Sequence, residues 1–567
     1  MSTRRRPNYA VDHAIGALLA IVYVAVLIKT ASAIGYARDE GFYFRASQSY
    51  AGWFELLGRS PLAAIEQSAV DAAWSNNHEH PGLVKSVFAL SWTYLYKKLH
   101  WFAEEGTSFR FGGMCFAGAT LWLVHVWGAR ARGRATGLVA ALLFALLPRV
   151  FYHAHLDCFD VPIVFMWTLC AYCYWRSLEK QGIGWALATG VVFGLALNTK
   201  HNSWFLPFAL LLHTLLTRGR SVWRGLRHAE IRVPPALWAM AFLGPMVLLA
   251  TWPWLWFDPV GRFTQYAQFH LHHDYYNMIF LGVNYWKPPM PRGYMWLMTA
   301  ATVPMITLAL FGVGAAISAW RTTGHRFSSR APRPPYDPAG TTLLWAIGLV
   351  VQLAPWILST NTPIFGGTKH WFTAYPFLCL FAGVGFVWVA EQLADVWRSS
   401  PLGRVPRWLQ QSALGASVLV APLVETLHAH PWGLSNYTPL VGGASGAASL
   451  GLNRQFWGFT TGAVAGWLNE HASPGQTVYI HDTAGDSWDM LRRDGRIAPH
   501  VQAAWSIPSS TFALYHHEEH MEGVEYQIWA TYGTASPAYI GAYDGVPIIY
   551  VYAVPGQVRA DKARAGE

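Results

Sequence analysis

Charge is what this sequence has least of. Only 13% of its 567 residues are Asp, Glu, Lys or Arg, whereas 53% are hydrophobic and 15% aromatic, with 30 Trp. Few soluble domains have such a composition. The apolar residues are also clustered in runs, several of them long enough to cross a bilayer core. Cysteine is scarce as well. Cys115, Cys158, Cys170, Cys173 and Cys379 form no disulfide framework. Cys170 and Cys173 have C-x-x-C spacing, but they lie inside the apolar run Val161 to Tyr174, where packing is the expected role. Only Cys158 falls in a loop expected to be exposed. There is no internal repeat and no long disordered linker. A multi-span helical membrane protein with a soluble piece at its end fits these absences.

The formal charge of +10 calls for no nucleic-acid partner, because its placement is topological. Arg4-Arg5-Arg6 precede an apolar run from about Ala14 to Ile34. That run resembles a secretory signal, with Ala31-Ser32-Ala33 at its end, but its length and the spans that follow favour a retained first helix. Further runs lie at roughly 110–128, 135–148, 159–175, 183–198, 203–217, 235–256, 294–320, 341–359, 371–391 and 409–427. Threading them alternately gives about 11 spans, N-terminus in and C-terminus out. The inner loops of that threading carry the Arg clusters: Arg130 to Arg134, Arg218/Arg220/Arg224/Arg227, Arg321/Arg326/Arg330/Arg333 and Arg398/Arg404/Arg407. The stretch Ser86 to Phe102, flanked by Lys85, Lys97, Lys98 and His100, reads as a helix lying in the interface within an outer loop spanning 35–109. Were it to cross, the Arg clusters would face outward.

From about His428 the pattern becomes that of a soluble domain. The expected division is a transmembrane module over 1–427 and an extracytoplasmic α/β domain over 428–567. Residues 476–481, 526–532 and 546–553 read as strands, and Phe459 to His471 as an amphipathic helix.

The polar residues then sort by side. The predicted outer loops hold Arg38-Asp39-Glu40, Asn76-Asn77-His78-Glu79-His80-Pro81, Arg149, His153, His155, Asp157 and Asp160. They also hold Lys200-His201, the loop Phe257 to Gly293 with His270, His272, His273 and Asp274, and Lys369-His370. The inner loops carry Arg and little else. Ionisable residues gathered at the outer ends of spans disfavour a transporter, which places them at mid-membrane. Glu79 with His78 or His80, and the His270 cluster, carry donors that suit a divalent metal ion, but none is assigned.

These residues resemble the GT-C-type membrane glycosyltransferases that use polyprenyl-phosphate sugars, in the group of the protein O-mannosyltransferases and the aminoarabinose transferase of lipid A. The resemblance rests on Asp39-Glu40, His78-Glu79-His80-Pro81, Pro148-Arg149 with His153 to Asp157 and Asp160, Asn198 to His201, and Lys369-His370 near Pro376. Relatives often show Lys-Pro-Pro where this chain has His80-Pro81-Gly82, and Arg-Tyr where it has Lys369-His370. The resemblance implies transfer of a sugar from a polyprenyl-phosphate donor to an acceptor hydroxyl outside the membrane, with inversion. The acceptor is a protein, lipid or polysaccharide, and the setting is the plasma (inner) membrane.

Such a reaction needs a carboxylate to take the hydroxyl proton, and cations at the phosphate. Asp39 is the expected base. Glu40 beside it is expected to support it, like-charge repulsion making Asp39 a better proton acceptor. Asp157 is the second catalytic acid. Lys369 is the first candidate at the phosphate, followed by Arg149 and Lys200, with His370, His80, Glu79 and His155 as further substrate contacts. The alternative is a polysaccharide ligase or polymerase, or a lipid-linked-sugar transporter, of another fold. An oligosaccharyltransferase would carry a Trp-Trp-Asp motif in its soluble domain, and no such triplet follows His428.

Overall fold

A computed structural model of the chain describes residues 9–180, 182–227, 233–323, 337, 339–364, 366–481, 483, 485–518 and 521–559. Arg4 to Arg6, Arg326, Arg330 and Arg333 of the basic clusters lie outside the described residues.

Each apolar run is helical, as it must be where no water is present to satisfy backbone polar groups. Six of the described helices are long and apolar enough to cross a membrane, among them Glu105–Arg132, Thr341–Leu358 and Arg407–Ala429. Shorter apolar helices occupy Arg134–Ala145, Ile183–Leu197 and Pro235–Thr251. The run 294–320 is two helices, Tyr294–Thr302 and Met305–Thr323. Pro304 explains the break: it has no N–H to donate and pushes the residue before it out of the helical region, and Val303 is extended at φ −100°, ψ 128°.

Close packing of the bundle rests on small residues. Helix Tyr9–Thr30 lies on Glu105–Arg132, and Met305–Thr323 on Tyr375–Trp397. At the second crossing a Cβ on Gly314 would overlap Phe381 O. Ser86 to Phe102 is a short helix, Leu83–Ser91, followed by a wider turn over Trp92–Lys98. It packs on Arg38–Arg59 and Glu105–Arg132. Tyr94, Leu99 and Trp101 stay exposed, and Lys97 and Lys98 lie over the rings of Trp92 and Tyr94.

Seven strands are present among the described residues. β1 (Met278–Phe280) and β2 (Val283–Tyr285) form a hairpin in the long loop before Tyr294. β3 (Thr477–Tyr479), β4 (Gln502–Ala504), β5 (Phe512–His516), β6 (Tyr539–Tyr543) and β7 (Val546–Ala553) form a mixed sheet of order β4-β3-β5-β7-β6. The fold is therefore mostly α, a polytopic helical bundle with a small C-terminal α/β part.

One expected strand is a helix. Residues 526–532 are rich in aromatic and β-branched side chains, which favour strands, but they fold within helix Glu522–Tyr532. The pair that is buried is Ile528 and Tyr532, an i, i+4 spacing, and Gly533 ends the helix at φ 68°. Acidic Glu522 and Glu525 in the first turn complement the helix N-terminus.

The C-terminal part is fastened to the first loop after helix Tyr9–Thr30. Tyr36 donates to Asp494, Arg496 Nη2 meets Glu104 at 2.9 Å, and Arg493 Nη1 meets Glu105 at 3.0 Å. Ser487 Oγ donates to Ala37 O at 2.8 Å.

Candidate active site

Helix Arg38–Arg59 begins at the stretch that carries the paired acids, and its first turn sends them in different directions. Glu40 turns inward and is fully buried. Its Oε1 accepts from Arg110 Nε at 2.7 Å and from Asp157 N at 3.0 Å. Its Oε2 accepts from Arg110 Nη2 at 2.8 Å and from Ala37 N at 2.9 Å, the last being half of a capping box. Arg110 also donates to Ile34 O and Gly35 O and lies over the Tyr36 ring. The carboxylate of Glu40 thus faces a guanidinium rather than Asp39, so the expected repulsion between the two acids lacks its geometry.

Asp39 turns outward onto the wall of a cavity of about 370 Å³. Its Oδ2 accepts from Trp457 Nε1 at 2.8 Å, and its Oδ1 lies 3.7 Å from Arg38 Nε. Across the cavity, Asp160 opens helix Asp160–Lys180 and pairs with Lys200 at 2.6 Å, with His153 Nδ1 3.2 Å away. Lys200 lies just beyond helix Ile183–Leu197, whose end is fixed by Asn198 bonding Gly82 N and Thr251 O.

Lys369 reaches the same cavity from a tight turn. Gly366 and Gly367 take φ 70° and 63°, and a Cβ on Gly366 would overlap the Lys369 side chain. Its Nζ sits 3.6 Å from the centroid of the Trp457 ring, a close cation–π contact. His370 lines the cavity too, with its ring against Trp356.

The loop 77–80 supplies Glu79 and His80. Lys85, itself buried, pins this loop by donating to Asn77 O and, at 2.9 Å, to His80 O. Burial brings the Lys85 ammonium down to about 7. His80, His201 and His270 lie together, His201 to His270 at 4.3 Å between ring centroids. Burial holds all three imidazoles below their ordinary range, His270 at about 3. His270 Nε2 is bonded to Glu79 O. Among the described residues no group of three or more His, Cys, Asp or Glu is placed to hold a metal ion.

Of the expected site residues, Asp39, Glu79, His80, Lys200, Lys369 and His370 line the cavity. Glu40, Arg149, His155 and Asp157 stand behind its wall. Arg149 donates to Leu434 O, lies over Tyr437 and supports the Gly366–Gly367 turn from below. His155 bridges Phe151 O and Thr30 Oγ1, and burial brings it to about 3. Asp157 is buried with its carboxyl oxygens unbonded among the described residues, and burial followed by the Glu40 charge pushes it well above the usual carboxylate range. Cys158, expected to be exposed, is buried in the cavity wall.

Sequence reasoning missed Glu518, Phe456 and Trp457 on the wall and Arg110 behind it. A signal existed for Arg110, a lone charge at the head of an apolar run. None marked Trp457 among 30 tryptophans.

Residues 95–252 match the family model described as dolichyl-phosphate-mannose-protein mannosyltransferase. No curated protein matches the chain. Among solved structures, ArnT from Cupriavidus metallidurans bound to undecaprenyl phosphate is 16% identical, over 95% of this chain and 98% of that one, with a TM-score of 0.47. The apo oligosaccharyltransferase of Archaeoglobus fulgidus is 10% identical, over 94% and 72% of the two chains, with a TM-score of 0.48. The family match covers the helices that bring Asp160 and Lys200 to the cavity. Over residues 95–252, then, the chain is similar to the membrane mannosyltransferases that this family model describes.

Proposed function

We propose that the protein moves a sugar from a polyprenyl-phosphate donor to an acceptor hydroxyl on the outer side of the plasma (inner) membrane, with inversion. The observation that carries the reading is the convergence of Asp39, the Asp160–Lys200 pair and Lys369 on one cavity. The description of the matching family, a dolichyl-phosphate-mannose enzyme, supports the donor class. In this reading the acceptor oxygen attacks the anomeric carbon and Asp39 takes its proton. The bond from that carbon to the phosphate oxygen breaks, and the electron pair leaves with the polyprenyl phosphate. Lys369 stabilises the charge that grows on the phosphate, with Lys200 beside it. Glu79, His80 and His370 contact the substrates from the remaining wall. Glu40 and Arg149 act from behind, by fixing the helix start that carries Asp39 and the turn that carries Lys369. His155, through Phe151 O and Thr30 Oγ1, and the Asp157 backbone N–H, through Glu40, hold the loop 154–159 in place.

The test is sugar transfer from a polyprenyl-phosphate donor by the purified protein. Asp39→Asn should lower kcat by about a hundredfold or more, and Lys369→Met should lower it with a raised donor KM. Near-normal turnover of Asp39→Asn would remove the assigned base. Reporter fusions at Gly219 and Gly475 should report opposite sides of the membrane, and the same side for both would overturn the threading.

A further inference from the structure

Trp457 is the point where the two halves of the cavity chemistry meet. Its indole N–H donates to Asp39 Oδ2 at 2.8 Å, while its ring face carries Lys369 Nζ at 3.6 Å from the centroid. Its carbonyl accepts from Arg38 N at 2.8 Å, so the same residue also caps the helix that carries Asp39. The ring edge reaches His153, the neighbour of Asp160, at 5.6 Å between centroids.

The backbone at this position is forced. Trp457 has φ 77°, a region that bulky residues rarely enter and keep only when their surroundings over-determine them. Filling space does not account for it, since a phenyl ring would fill most of the same volume. What the indole adds is a donor aimed at a carboxylate and a π face broad enough for an ammonium.

We propose that Trp457 is a positioning residue that holds the Asp39 carboxylate and the Lys369 ammonium as one unit, so that proton acceptor and phosphate-facing cation keep a fixed separation. Trp457 reaches them from residues after the last long apolar helix, 418 residues from Asp39 in sequence. The C-terminal part of the chain therefore supplies a piece of the reaction geometry and not only a cover. The inference rests on the reading of Asp39 as the base.

Two substitutions separate the two contacts. Trp457→Phe keeps an aromatic face under Lys369 and removes the donor to Asp39. It should lower kcat by about tenfold, the worth of a hydrogen bond to a charged group, with donor KM within about twofold of the wild type. Trp457→Leu removes both contacts, and should add a rise of about tenfold in donor KM to the same loss in kcat. Thermal midpoints of the purified variants separate these effects from misfolding.

A fall in midpoint with kcat and KM unchanged in both variants would show a packing role and overturn the proposal. So would an identical KM for Phe and Leu. Asp39→Asn separates this failure from that of the underlying reading. If Asp39→Asn is inactive while Trp457→Phe is normal, only the role of Trp457 falls. If Asp39→Asn turns over normally, the base assignment falls first.

Discussion

The buried pair of Glu40 and Arg110 gives the sharpest quantitative test. Four donors converge on the two oxygens of Glu40, each oxygen taking one guanidinium N–H and one backbone N–H. In Glu40→Gln the amide nitrogen replaces one oxygen, and whichever way it flips it meets two donors. Two hydrogen bonds are lost, one of them from Arg110, and the wholly buried guanidinium keeps one bond to the amide oxygen and its carbonyl partners at Ala31, Ile34 and Gly35 but loses its counter-charge. An uncompensated buried charge costs about 3–5 kcal/mol. The assay is a reversible unfolding titration in mixed micelles, with sugar transfer measured in parallel. The double variant Glu40→Met/Arg110→Met should lose clearly less than the sum of its two single changes, because no buried charge remains. A loss below about 1 kcal/mol for Glu40→Gln, or additive single and double losses, would refute the reasoning.

Three further outcomes are expected. His155 and His270 are held at about 3 in the folded protein, mainly by burial, against an ordinary 6.5. The unfolded chain takes up these protons first, so the stability they contribute is full above pH 6.5 and is lost as pH falls toward 3. At pH 5.5 each costs about 1.4 kcal/mol, so the thermal midpoint should drop between pH 7.5 and 5.5, and a flat or rising midpoint would count against it. Lys85→Met strips the donor from the carbonyls of Asn77 and His80, which should loosen the loop bearing Glu79 and raise donor KM, a change a transfer assay reads directly. Gly314→Ala should cost about 1–3 kcal/mol through its clash with Phe381 O, whereas Gly312→Ala, with open space around it on the same helix, should not destabilise. Equal behaviour of the two variants in thermal unfolding would count against the packing described at that crossing.

Hydrophobic run length carried most of the bundle into view, because helices are the form an apolar chain takes in lipid. The break at Pro304 was not visible in this way, since 294–320 reads as one run by hydropathy despite the proline inside it. Nor was helix Glu522–Tyr532, since its aromatic and β-branched residues favour a strand, and only the burial of Ile528 and Tyr532 reveals the face in use. At the site, the outward gathering of acids and cations pointed to Asp39, Lys200 and Lys369 by residue type and side of the membrane. Which of two adjacent acids faces the cavity is a matter of helix phase. The sequence did not contain the reason Glu40 turns away, namely Arg110, which lies 70 residues along the chain. Trp457 was invisible for a similar reason, since its importance comes from a contact 418 residues long.

The Asp39–Trp457 contact also bears on how the protein is made. At about 5–20 residues per second, roughly 20–80 s pass between synthesis of Asp39 and of Trp457. Through that interval the nascent protein holds the Asp39 carboxylate without the indole that steadies it and, once it is made, Lys369 without the ring beneath it. The geometry of the cavity closes only when the last third of the chain has been delivered and folded back onto the first loop. A prematurely terminated chain that inserts correctly would therefore sit in the membrane as a bundle whose cavity lacks the indole between Asp39 and Lys369.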